Sequence, residues 1–350
     1  MNNRWAVWTL ALASAIGLYV PGAQAHQDAS ANEAIYQYQG PDREQKLVEA
    51  ARKEGELNLY TSLATSESRP LAQAFEDKYG IKVNLWRSTS DKVVQRAVTE
   101  ARGGRYAVDV VETNGPEMEM LAREKLLAHF ESPHIADLPD NARPAHGLWV
   151  TDRLNFFVVA YNTKLVKAGE LPDQYEGFLD PKWQGKLGLE ATDVEWMATI
   201  IKERGRDEGE AFFRKLAAMK PDVRKGHVLL AEMVGAGEVP VALTVYNSEV
   251  ESIMRRGGPV AWKPVQPVVG RPQGIGVALN APNPHAALLF ADFVLSHEGQ
   301  EFFHSVGRIP ASQSVKTNLK DFPYIMVDPA TVLDEHDKWY ELWRELFIAR

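Results

Sequence analysis

Small hydroxyls, amides and single charges gather at the ends of apolar stretches along this chain. Thr61-Ser62, with Thr65 and Ser66 just beyond, closes "ELNLYTS"; Arg87-Ser88, followed by Thr89 and Ser90, closes "IKVNLWR"; Glu112-Thr113-Asn114 closes "YAVDVVET". Farther along stand Arg153, Thr192 and Asp193, and then "VPVALTVYNSEVE" at 239–251, where five of the first seven residues are apolar before Tyr246, Asn247 and Ser248 arrive together. Hydroxyls and amides with an occasional arginine bind oxyanions by charge-assisted hydrogen bonds. They are equally the residues that cap helices. The burst after Val245 is therefore either a turn or the edge of a ligand cleft.

The pattern around these groups sets their positions. "REQKLVEAARKEG", "ESRPLAQAFEDKYG" and "SDKVVQRAVTEARGG" read as helices, the last with a Ser90 cap, and "PEMEMLAREKL" as a helix opened by Pro116. Alternation of strands with helices of this length predicts an α/β fold with parallel sheets covered on both faces. In such sheets ligands bind outside the carboxyl ends of the strands, beside helix N-termini that favour anions. A second α/β unit follows, with a long strand at "LNFFVVAYNTKLV", another after "PKWQGKLGLE", and helices at "DEGEAFFRKLAAM" and "HVLLAEMVGAGE". "PVVGRPQGIGVALN" reads as a return crossing with a short strand at "GIGVAL"; the tail places Trp339, Leu342, Trp343 and Leu346 on one helical face.

Catalytic signatures are missing from the sequence. There is no GxSxG elbow and no phosphate-binding GxxxxGK loop, and His297 and His304 stand seven apart, not four. With no cysteine there is no thiolate chemistry and no disulfide. The carboxylates of a carbohydrate-active hydrolase leave no short motif, so an exported enzyme remains the alternative. A formal net charge of −8 argues against nucleic acid or an anionic membrane as partner. Residues 1–25 read as a cleaved secretion signal: Arg4, an apolar run, then Ala23-Gln24-Ala25. No later stretch is long and apolar enough for stable membrane insertion.

Taken in order, "ELNLYTSLATSESRPLAQAFEDKYGIKV", "YAVDVV", "VAYNTKLV", "PKWQGKLGL", "GEVPVAL", "PNPHAALLFADFVLSHEGQEFF" and "GRIP" resemble the periplasmic solute-binding proteins of ABC importers. The branch is the one holding ferric-iron binders and binders of phosphorylated or phosphonate solutes, and the likeness runs from about Glu56 to Pro310. It implies a type II two-lobed periplasmic-binding-protein fold with a hinged cleft, a monomer delivering its solute to a membrane permease. Signal 1–25 and a polar lead-in, 26–44, would precede lobe 1 at 45–150, completed by 268–325; lobe 2 would hold 151–267, and 326–350 would be a C-terminal helix packing on a lobe. A sensory clamp feeding a receptor is a further alternative.

The resemblance also implies a ligand set. One wall would hold Thr61, Ser62, Thr65, Ser66, Ser88, Thr89, Ser90 and Asn114, the other Thr192, Asp193, Tyr246, Asn247 and Ser248, with Arg87 or Arg153 supplying a charge-assisted pair and Trp196 stacking or merely packing. Ferric relatives carry an adjacent tyrosine pair after the "PVAL"-type strand, where this chain has Tyr246 alone, followed by Asn247. Two ligands stay open: a small organic or phosphorylated anion, or Fe3+ held by Tyr246 and Glu112 with a synergistic anion. No resident cofactor is expected.

Overall fold

The computed structural model describes residues 21–349. The secretion signal read at 1–25 therefore lies, through residue 20, outside the described residues. The strands are β1 (Glu56–Thr61), β2 (Lys82–Arg87), β3 (Val110–Asn114), β4 (Val150–Asn162), β5 (Leu187–Glu190), β6 (Asp222–Arg224), β7 (Val241–Tyr246), β8 (Val260–Lys263), β9 (Val268–Val277), β10 (Ile309–Pro310) and β11 (Tyr324–Met326). Helices in the first half are α1 (Pro21–Tyr36), α2 (Arg43–Glu54), α3 (Thr65–Tyr79), α4 (Ser90–Arg102) and α5 (Gly115–Arg123). In the second half come α6 (Val194–Arg204), α7 (Arg206–Ala218), α8 (His227–Ala236), α9 (Asn247–Arg255), α10 (Pro284–Leu295), α11 (His297–Ser305), α12 (Pro329–Asp334) and α13 (His336–Trp343).

Two parallel sheets share one continuous ladder, in the order β2-β1-β3-β9-β4-β7-β5-β6. Parallel pairing of β1 with β2 and β3 builds lobe 1, around a core containing Leu57, Phe75, Val110 and Phe290. Parallel pairing of β5 with β6 and β7 builds lobe 2, around Phe157, Leu189, Trp196 and Phe213. Between them β4 and β9 run antiparallel from Val150 opposite Ile275 to Phe157 opposite Val269, with a register shift between Thr151 and Arg153. Extended strands that pass from one core to the other make a hinge. The return crossing is thus a full strand beginning at Val268, six residues before "GIGVAL". Its glycines are required by close approach: a Cβ on Gly274 would sit 2.6 Å from the Trp149 ring, and one on Gly276 2.9 Å from Met118.

The polar lead-in is not a tether. Residues 21–36 form α1, and Asn32 Nδ2 donates to the Leu279 and Ala281 carbonyls at 3.2 and 3.0 Å. Tyr36 is fully buried in the lobe 1 core, its hydroxyl donating to Ala278 O at 2.9 Å. Among the described side chains of α1, Asn32 and Tyr36 with Ile35 make the contact to the core, too few for the sequence to advertise an apolar stripe. At the other end Trp339, Trp343, Leu346 and Phe347 join the lobe 2 core, while α12 reaches back to α5 of lobe 1 through an Arg123–Asp334 ion pair.

Candidate functional site

A cleft of about 820 Å³ lies between the lobes. Six helices begin on its walls: α3, α4 and α5 from lobe 1, and α6, α8 and α9 from lobe 2, and in none does the residue preceding the helix cap it with its side chain. Their free N–H groups and aligned dipoles favour negative charge in the cleft. The Ser90 cap is not formed. Ser90 Oγ instead accepts from Asn114 Nδ2 at 2.6 Å, and Thr113 Oγ1 donates to Ser62 Oγ at 3.0 Å. These bonds tie three strand tips into one wall of hydroxyls. Exposed Arg87 stands at its edge, bonded only to the Leu63 and Ser62 carbonyls at 3.3 and 3.4 Å.

Lobe 2 presents the opposite polarity. Glu190 accepts from Thr192 N at 2.5 Å, Thr192 Oγ1 at 2.7 Å and Gly226 N at 2.7 Å. His227 has Nδ1 3.2 Å from the Thr244 carbonyl, to which it donates, and Nε2 3.1 Å from Asp193 Oδ1. Burial pushes the Asp193 carboxyl up to about 6 against the opposing pull of His227. Burial pulls the imidazole down, but the Asp193 and Glu190 charges outweigh it and the net direction is upward. With both nitrogens spent on oxygens, His227 has no hydroxyl to activate. Glu195 is pushed up to about 7 by burial although Arg271 Nε lies 2.5 Å away.

Of the residues expected from sequence, Ser62, Ser66, Arg87, Thr89, Ser90, Asn114, Arg153, Thr192, Asp193, Tyr246 and Ser248 line the cleft. Thr61 does not: it is fully buried, accepting from Leu63 N at 2.9 Å and donating to Glu112. Thr65 is exposed outside the lining, and Ser88 lies behind the wall, with its N–H on Thr61 O at 3.1 Å. Asn247 opens α9 with its side chain turned into the protein, Oδ1 accepting from Phe156 N at 3.1 Å. Trp196 packs, fully buried, edge-on to Tyr175 and Phe213.

The two expected iron ligands are not brought together. Glu112 is buried outside the cleft lining, held by Thr61 and by an ion pair to Arg153, which also bonds Asp152 Oδ2 at 2.9 Å. Burial pushes Asp152 up to about 8, opposed by the shared arginine. The Tyr246 hydroxyl accepts from Arg271 Nη1 at 2.8 Å. Its proton is held well above the usual phenol range by burial, against which Arg271 pulls and to which Glu195 and Asp193 add. A different trio, Glu190, Asp193 and His227, has ligand atoms within 4.8 Å of one another and is the set that could hold a cation.

Sequence reasoning missed Glu190, Glu195, His227, Arg271 and Arg308, all on the cleft lining. Glu190 ends β5, so the strand-tip rule that found Asp193 reaches it too. Arg271 and Arg308 come from return segments far along the chain and carry no local signal.

Two α/β lobes joined by hinge strands around a polar cleft define a type II periplasmic binding protein. The solved structure of iron-bound HitA from Pseudomonas aeruginosa superposes with a TM-score of 0.72 at 24% identity, over 83% of this chain and 99% of that one. Iron uptake protein A1 of Synechocystis sp. is 25% identical over 284 residues, covering 75% of this chain and 77% of its own. A putative 2-aminoethylphosphonate-binding periplasmic protein of Salmonella typhimurium is 27% identical over 287 residues, covering 79% and 82%. The bacterial extracellular solute-binding protein family matches residues 70–323, and the chain belongs to that family. Among the described residues no helix is long and apolar enough to cross a membrane.

Proposed function

We propose that this protein captures a small organic oxyanion of the phosphate-ester or phosphonate class in the periplasm and hands it to an ABC importer permease, with no chemistry of its own. The carrying observation is the polarity of the cleft. Hydroxyls, Arg87 and three uncapped helix N-termini on lobe 1 suit an oxyanion, and Glu190 and Asp193 on lobe 2 suit a hydroxyl or ammonium at the other end of the same molecule. Export by the segment read at 1–25 belongs to this proposal. Ferric ion fits less well, since a hard trivalent cation calls for anionic oxygens and Tyr246 holds its proton against Arg271 while Glu112 is spent elsewhere.

A thermal-shift screen of the purified protein with 2-aminoethylphosphonate, fructose 6-phosphate, inorganic phosphate and ferric citrate tests it. A bound ligand at about a hundred times its Kd adds roughly 2.7 kcal/mol of stability. Stabilisation by an organic phosphate or phosphonate is the expected result. Stabilisation by ferric ion alone, or turnover of any of these compounds, overturns the reading.

A further inference from the structure

The turn Gly307-Arg308 belongs to the "GRIP" stretch and reaches both lobes from the cleft lining. Arg308 is 8% exposed and all three of its guanidinium nitrogens are engaged. On one side Nε lies 3.1 Å from both carboxylate oxygens of Glu67, and Nη2 3.0 Å from Oε2; Glu67 belongs to α3 of lobe 1. On the other side Nη1 donates to Ser248 Oγ at 2.6 Å, with Glu249 Oε1 3.7 Å away; both open α9 of lobe 2. Asn155 Oδ1 of the hinge strand β4 accepts from the same Nη1 at 3.3 Å. One side chain thus holds the first turns of two helices on opposite lobes.

A second arginine crosses in the reverse direction at the same place. Arg255, at the end of α9, donates from Nη2 to Val306 O at 2.8 Å, just after α11, whose Phe303 is in the lobe 1 core. Gly307 makes room for it. Its φ of +80° is open to glycine, and a Cβ there would lie 2.0 Å from Arg255 Nη1.

We propose that Arg308 and Arg255 form a reciprocal clasp that holds the two lobes closed independently of the solute, so that the empty protein populates the closed form and solute affinity is set partly by this contact. Rotation about β4 and β9 carries α3 away from α9, and a guanidinium fixed by the hinge-side turn cannot follow both. Opening leaves Arg308 with Glu67 on lobe 1 and breaks its contacts to Ser248 and Glu249 on lobe 2, and losing a hydrogen bond to a charged group shifts a two-state equilibrium by about tenfold or more.

The chain has no cysteine, so spin labels can be placed at Lys92→Cys on α4 and Glu232→Cys on α8, both exposed, and the interlobe distance distribution measured by pulsed electron resonance without solute. Arg308→Gln and Ser248→Ala are each expected to raise the ratio of long to short distances about tenfold or more. The double variant should open no further than Arg308→Gln alone, which already removes the Ser248 contact. Arg308→Lys, which keeps the charge but cannot fork to two lobes, should behave like Arg308→Gln. A distribution for Arg308→Gln or Ser248→Ala that superposes on the parent overturns the proposal, and so does full restoration by lysine.

Discussion

The imidazole of His227 lies against the phenol ring of Tyr246, centroids 3.7 Å apart and planes 26° from parallel. The stack places a proton-rich ring on a phenol whose hydroxyl is already taken by Arg271 at 2.8 Å. A group so placed shapes the cleft floor and does not supply an anionic oxygen.

The first prediction follows from that stack. Ferric citrate added to the wild-type protein should give no visible tyrosinate-to-iron band. Tyr246→Phe keeps both rings and loses one buried hydrogen bond to the Arg271 guanidinium, costing about 1.5–3 kcal/mol in a urea melt. A coloured complex that bleaches in this variant would restore iron as the ligand.

Arg87 is the most accessible cation of the hydroxyl wall, anchored only by long contacts to two carbonyls. Removing it should therefore leave folding untouched while weakening anion capture. Arg87→Ala is expected to lower affinity for a stabilising phosphate or phosphonate by about tenfold or more, the worth of a hydrogen bond to a charged group, with an unchanged melting temperature for the empty protein. Calorimetric titration reads the first quantity and a thermal scan the second; equal affinity in the variant would remove Arg87 from the site.

How much of this site the sequence discloses depends on where each residue sits along its strand. Ser62, Asn114, Thr192 and Asp193 follow or end strands, where period-two patterning locates both the strand and its open end. Asn247 shows the limit of that rule, because the backbone N–H of Phe156 on a neighbouring strand needed an acceptor and claimed the side chain. Thr61 and Glu112 were similarly drawn inward, to each other. "YNSEVE" reads as a strand ending although it opens α9, since only Val250 and Ile253 mark the buried face of that short helix. Arg271 and Arg308 reach the cleft through pairings of β9 and β10 with β4, contacts more than a hundred residues apart that no window of sequence contains.

Glu195 gives a pH dependence of known sign. It is 7% exposed, and burial raises its carboxyl from 4.5 to about 7 with Arg271 opposing. The folded state therefore holds the proton more tightly than the unfolded chain, and the stability this residue contributes falls as pH rises between those values. Glu195→Gln mimics the protonated form and removes that loss. The stability difference between variant and wild type, from urea melts at pH 4.5 and pH 8, should move in the variant's favour as pH rises, by at most about 3 kcal/mol. A difference independent of pH, or one moving the other way, would mean that Glu195 is ionised in both states.

Trp343 links the C-terminal helix to the cleft. It is 1% exposed, meets the Phe347 ring at 4.7 Å with the planes tilted by 49°, and its Nε1 donates to Ala191 O at 2.8 Å. Ala191 immediately precedes Thr192 and Asp193, so the indole fixes the loop that carries two cleft groups. Trp343→Phe keeps most of the packing but leaves a carbonyl without its donor, at a cost of about 1–3 kcal/mol. Leu342→Ala supplies the contrast, because that half-buried side chain packs on the same core without touching the loop. Both variants should melt earlier than wild type, and only Trp343→Phe should also bind the stabilising anion more weakly. Equal losses of affinity in the two would show that α13 acts on the cleft through global stability alone, and no loss in either would show that the Thr192–Asp193 loop holds its shape without the indole.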